Sequence, residues 1–201
     1  MSNKYKLIGL AGIIILAIIL LVALTLPLTS MFTSNEIALI QINGEISYDN
    51  NNTNMSIESI ESGINDANNN PSVKAIVIEI NSQGGSLVAS EEIAKLIKSS
   101  KKPTVSWISD SGTSEAYLIA SGADTIVATH SSAVGGIGLN LADNTEYNKN
   151  SNLDKSASMI KQDYEYLIKE IAKNRGLKFN QISEISKGEV YNGNEAYKAK
   201  L

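Results

Sequence analysis

Residues 73–80 read VKAIVIEI, an almost unbroken β-branched run. Such a run is the mark of a central strand buried on both faces of a sheet. It gives way to NSQGGS at 81–86, a turn rich in Asn, Ser and Gly, and then to a helical pattern reaching about residue 98. Glu91 and Glu92 stand near the start of that helix, and Lys95 and Lys98 near its end, as the helix dipole favours. The alternation repeats along the chain. EIALIQI at 36–42 is a strand that stops at the turn dipeptide Asn43-Gly44. Ile57, Ile60 and Ile64 recur at helical spacing before the breaker NNNP at 68–71. A strand at 104–108, a helix at 114–121 and a strand at 124–129 follow. Ile160, Tyr164, Leu167, Ile168 and Ile171 then mark one long amphipathic helix over 158–174, with Gly176 as its stop. Strands alternating with helices predict an α/β domain over 36–201, a mainly parallel sheet under helical cover. No internal repeat is visible.

Residues 7–26 form a second kind of segment. They carry no charge and one polar side chain, Thr25, and the run is long enough to span a hydrocarbon core as a helix. A cleaved signal peptide would have a shorter apolar region ending in a small-x-small site, whereas Leu26-Pro27-Leu28 follows here. The segment therefore reads as an uncleaved anchor, with 1–6 as a tail and 27–35 as a linker. Lys4 and Lys6 precede it and the next basic residue is Lys74. The positive-inside bias puts the N-terminus in the cytoplasm and the domain outside.

Composition removes several chemistries. The chain has no cysteine, which excludes disulfides, thiol nucleophiles and Cys-ligated zinc, and one histidine, His130, is too few for a multi-histidine metal site. No metal or other cofactor is expected. A net charge of −4 without a basic patch argues against nucleic acid as a partner. Three Gly- or Ser-rich segments lie after strands, where α/β proteins place their sites: 81–86, 109–117 and 131–138. Gly84-Gly85 lacks the Gly-Lys-Ser/Thr of a phosphate loop, and GGIG is not G-x-G-x-x-G.

The order of these motifs resembles that of the signal peptide peptidase A (SppA) family of ClpP/crotonase-like membrane serine peptidases. In that family a strand runs into N-S-P-G-G and a helix. Lys-Pro and a strand follow, then a segment such as A-S-G-A-Y with the nucleophilic serine, then A-D-x-I-V-A and a G-S-I-G turn. Here INSQGGS, KKPTVSWISDSGTSEAYLIASGADTIVA and VGGIG stand in that order, and IAKNRGL and GEVYNGNEAYKAKL resemble the family's closing segments. The resemblance covers about 37–201. It implies a ClpP/crotonase-like fold, serine endopeptidase activity on extended hydrophobic peptides such as signal peptides or membrane-protein segments, and a homo-oligomer. It makes Ser114 the nucleophile. Gly84 and Gly85 would supply oxyanion-hole donors, since glycine lets backbone N–H groups approach a carbonyl with no Cβ in the way. Taken alone, Ser114 would read as a helix cap.

The resemblance also implies a lysine base. Its pKa must fall from about 10.4 towards 8 for it to accept a proton. Signal peptide peptidase A carries that lysine in a segment which 139–158 is too short to hold. Related peptidases of the NfeD type carry it just ahead of the long helix, where Lys155 stands in NLDKSAS; Lys149 is the reserve and Lys161 falls within the helix. His130, after a strand-like run, reads as structural. Two residues depart from the pattern: Glu115, where the family has a small residue after the nucleophile, and Gly136, where it has the serine of G-S-I-G. These departures keep open a catalytically inactive, membrane-tethered peptide-binding module. An acyl-CoA enzyme of the crotonase type would not need export.

Overall fold

The computed structural model describes residues 12–23, 35–48, 56–138 and 153–201, with the side chains of 153–157 left out. The chain divides into two units, Met1–Asn35 and Glu36–Leu201. In the first, residues 12–23 form a helix, α1, exposed along its whole length. No helix among the described residues is long and apolar enough to cross a membrane. The transmembrane helix expected over 7–26 is therefore unsupported by the structure, and the rest of that segment and of the linker up to residue 34 lies outside the described residues.

The second unit is a mixed, mainly parallel sheet with helices packed on it. Its elements are β1 (Glu36–Asn43), α2 (Ile57–Asn69), β2 (Val73–Ser82), α3 (Leu87–Lys98), β3 (Thr104–Thr113), α4 (Glu115–Ser121), β4 (Thr125–Ala128), β5 (Ala133–Gly135), α5 (Leu153–Arg175), α6 (Phe179–Ile185), β6 (Val190–Tyr191) and α7 (Gly193–Ala199). The strand order is β1-β2-β3-β5-β6, with β4 also paired to β3. All pairs are parallel except β5 with β6. β3 pairs with three strands, β2, β4 and β5. β4 pairs with its first half from Val105↔Thr125 to Ile108↔Ala128, and β5 with its end from Ser111↔Ala133 to Thr113↔Gly135.

Strand alternation explains the core. Ile76, Ile78 and Ile80 of β2 align with Ala38, Ile40 and Ile42 of β1 and with Thr104, Ser106 and Ile108 of β3. This face meets Ile60 and Ile64 of α2, Ile93 and Ile97 of α3, and Leu118 and Ile119 of α4 in one buried cluster. Each such side chain contributes about 1.5–3 kcal/mol by leaving water. The opposite face is open: Ile37, Leu39, Trp107 and Val127 are exposed. The reading of 73–80 as buried on both faces is thus corrected. β2 is buried at every second residue and only half-buried between, because the cluster of helices lies against one face.

Candidate active site

β3 is longer than its hydrophobic pattern suggests, and its last five residues, SDSGT, carry the chain directly to Ser114. No loop intervenes. Ser114 has φ 56 and ψ −126, and α4 begins at the next residue. A non-glycine residue held at positive φ costs about 1–3 kcal/mol and persists only where its surroundings enforce it. Here the enforcement is visible. The Ser114 N–H donates to Gly135 O at 2.8 Å on the paired β5, while Ser114 O accepts from Tyr117 N at 3.0 Å. Tyr117 and its helix neighbours are fully buried. The side chain makes no cap bond to α4, so the hydroxyl is not spent on the role a serine usually plays at a helix start.

The glycine turn stands against this serine. β2 ends at Ser82, aligned with Gly112, and the Thr113 hydroxyl donates to Gln83 O at 3.2 Å. Gly84 has φ +114, and a Cβ on it would lie 3.2 Å from Ser114 Cβ and 3.3 Å from Glu115 N. The structure thus brings Gly84, Gly85 and Ser114 together, as the motif order implied. Their donors are partly engaged: the Gly84 N–H donates to Ser82 Oγ at 3.2 Å and the Gly85 N–H to Glu115 Oε2 at 3.2 Å.

Ser114 and Glu115 line a small cleft together with Leu87, Gly138, Ile160, Asp163, Tyr164 and Leu167. The α5 stripe therefore does two things: Ile168 and Ile171 are buried in the core, while Ile160, Tyr164 and the buried Leu167 line the cleft. Tyr164 donates its hydroxyl to Ser186 O, and burial raises its pKa. Gly84 and Gly85 line a second, larger cleft with Gly44, Asn81 and Asp110.

The remaining candidates lie elsewhere or beyond reach. His130 lines a separate cleft with Ile126, Gly193 and Tyr197, so it does not share the serine's pocket. Lys161 is exposed on α5. Lys155 is in the first turn of α5, but its side chain, like all of Lys149, lies outside the described residues. Gly136 has φ +54, and a Cβ there would lie 3.1 Å from Thr113 Cβ. Among the described residues no group of His, Asp or Glu is placed to hold a metal ion. Two participants escaped the sequence reading: Gly135, whose carbonyl fixes the serine, and the cleft-facing side of α5. The glycine run at 135–138 was the only signal for the first.

The serine stands on a strained strand-to-helix elbow beside a glycine turn, and sequence comparison names the class of domain that carries it. Residues 97–155 and 144–201 match the profile of peptidase family S49, together more than half of the chain. The chain belongs to that family. It is 29% identical over 167 residues to MJ0651 of Methanocaldococcus jannaschii, named provisionally as a protease, covering 69% of this chain and 54% of that one. It is 28% identical over 155 residues to an Enterococcus faecium protein named provisionally as signal peptide peptidase SppA, covering 62% and 45%. The chain thus spans about half the length of these relatives. Two solved structures share the fold. A variant of the 1510-N membrane-bound stomatin-specific protease superposes with TM-score 0.62 at 20% identity, over 83% of this chain and 77% of its own. A ClpP1 variant from Listeria monocytogenes does so with TM-score 0.56 at 19% identity, over 81% and 87%.

Proposed function

We propose that this protein is a serine endopeptidase in which Ser114 attacks the scissile carbonyl of an extended, apolar peptide. The observation that carries the reading is Ser114 itself: a strained backbone, a hydroxyl free of capping duty, and Gly84 packed against its Cβ. Lys155, with Lys149 as the alternative, removes the hydroxyl proton as the Oγ–carbon bond forms. The Gly84-Gly85 turn receives the oxyanion. The base then returns the proton to the leaving amine as the C–N bond breaks, and water releases the acyl group by the same route in reverse. The cleft walls of Leu87, Ile160 and Leu167 suit an apolar substrate side chain, as in signal peptides or membrane-protein segments.

Two further features extend the proposal. The open sheet face carrying Ile37, Leu39, Trp107 and Val127 offers a surface for a second copy, in keeping with a homo-oligomeric peptidase. The apolar run 7–26 after Lys4 and Lys6 supports a membrane-tethered protein with an extracytoplasmic domain. A second reading is favoured by one observation, the Glu115 carboxylate on the Gly85 N–H: an inactive peptide-binding module. Ser114→Ala separates the two. In the peptidase reading it abolishes cleavage of apolar peptides while peptide binding and folding persist. Cleavage surviving in pure Ser114→Ala protein removes Ser114 as nucleophile, and no cleavage by the wild-type oligomer favours the binding module.

A further inference from the structure

The residue after the nucleophile carries a long carboxylate, and its position bears on how the site opens. Glu115 Oε2 accepts the Gly85 N–H at 3.2 Å. The same oxygen lies 2.5 Å from the point where a Cβ on Gly84 would stand, and that point is 3.2 Å from Ser114 Cβ and 3.3 Å from Glu115 N. One anionic oxygen therefore sits against the glycine turn, beside the nucleophile, on a donor that a substrate carbonyl needs. We propose that Glu115 is an internal occupant of the oxyanion site: its carboxylate holds the Gly85 N–H in the resting enzyme, and a peptide carbonyl must displace it before Ser114 can attack. This rests on the peptidase reading given above.

Electrostatics set the strength of the competition. A carboxylate is a stronger acceptor than the neutral carbonyl of a bound peptide, so Glu115 opposes productive binding. The tetrahedral intermediate then brings a second negative charge to the same donor, and two anions cannot share it at low cost. The occupant is nevertheless displaceable. Among the described residues the ion pairs are Glu91–Lys95 and Glu170–Lys173, and neither involves Glu115. One charge-assisted hydrogen bond to a side chain with free rotamers is worth roughly 10- to 150-fold in an equilibrium.

The test is the rate at which a small fluorophosphonate labels the full-length protein. In that reaction the Ser114 Oγ–phosphorus bond forms as the Oγ proton passes to the base, and the phosphorus–fluorine bond breaks with fluoride leaving. Glu115→Ala is expected to label at least tenfold faster than wild type, and Glu115→Gln, which keeps an acceptor but loses the charge, at an intermediate rate. Deuterium exchange at the Gly85 amide should also accelerate in the Ala protein. Folded Glu115→Ala that labels no faster than wild type overturns the proposal, because Glu115 is then a support of the turn. Should that variant fail to fold, Glu115→Gln decides by the same criterion. Ser114-dependent labelling that ignores Glu115 sinks only this inference. No labelling in the wild type or either variant sinks the peptidase reading and this inference with it.

Discussion

One methyl group at Gly85 tests the architecture of the site. Gly85 has φ +145, and a Cβ on it would lie 2.2 Å from Ile46 O, 2.9 Å from Ile46 N and 3.0 Å from Ile46 C. All three are backbone atoms, so no rotamer change relieves the clash. That backbone is also tied down: Ile46 N–H donates to Gly84 O at 3.0 Å and Ser86 N–H to Ile46 O at 2.7 Å. Gly85→Ala must push the segment around Ile46 off the turn. Positive φ for an L residue costs about 1–3 kcal/mol and overpacking about 1–3 kcal/mol, so the loss is about 2–6 kcal/mol. Against a total of about 5–15 kcal/mol the protein folds, but with little reserve. With a urea dependence of about 1–3 kcal/mol per molar, a loss of ~3 kcal/mol lowers the midpoint by about 1–3 M. Gly84→Ala is the internal comparison. Its φ is +114, but its closest contact is the movable Glu115 Oε2 at 2.5 Å, so about 1–3 kcal/mol is expected. Gly63→Ala in α2 meets only Ile40 side-chain atoms, at 3.3 and 3.5 Å, and should be neutral or gain up to about 1 kcal/mol. Urea unfolding followed by circular dichroism should rank the midpoints Gly85→Ala lowest, then Gly84→Ala, then wild type at or below Gly63→Ala. A Gly85→Ala midpoint equal to wild type refutes the reasoning.

Ser114→Gly should remove activity yet raise stability by about 1 kcal/mol, because glycine accepts φ 56 without strain; thermal unfolding reads this, and a less stable Gly variant contradicts a strained elbow. Lys155→Arg should abolish cleavage, since guanidinium does not deprotonate, while Lys149→Arg leaves it intact; initial rates with the pattern reversed move the base to Lys149. Burial holds the Tyr117 hydroxyl above its ordinary pKa. The unfolded chain then ionises first, so Tyr117 contributes full stability below about pH 10 and loses it as pH rises toward the folded value. The thermal midpoint should fall above pH 10, and Tyr117→Phe should flatten that fall. The Arg175 guanidinium lies beside the buried Tyr117 hydroxyl, so Tyr117→Phe should lose no more than about 0.5–1.5 kcal/mol at neutral pH, and a larger loss contradicts this.

Much of the scaffold was legible because its signals are local. The β-branched run of β2, the NNNP breaker after α2 and the dipole-matched charges Glu91, Glu92, Lys95 and Lys98 of α3 are each read within a few residues. Motif order carried the site further, placing Gly84, Gly85 and Ser114 in one neighbourhood although they are far apart in sequence. What stayed hidden depends on pairing. SDSGT has no strand pattern, and it extends as β3 because β5 pairs with it at Ser111, Gly112 and Thr113. β5 itself has three residues and no periodicity. The open sheet face was misread because a β-branched run gives the same pattern under one layer of helices as under two. Glu115 stood out in sequence as a charge near the site, but its reach to Gly85 is a matter of rotamer and turn geometry.

The central claim is that Ser114 is the attacking residue, and mapping a covalent adduct tests it most directly. The full-length protein is treated with a fluorophosphonate, digested and analysed by tandem mass spectrometry. The account predicts one phosphonylated residue, Ser114, with loss of the modification in Ser114→Ala protein of unchanged fold. A phosphonyl group on any other serine, or one that persists in Ser114→Ala, contradicts it.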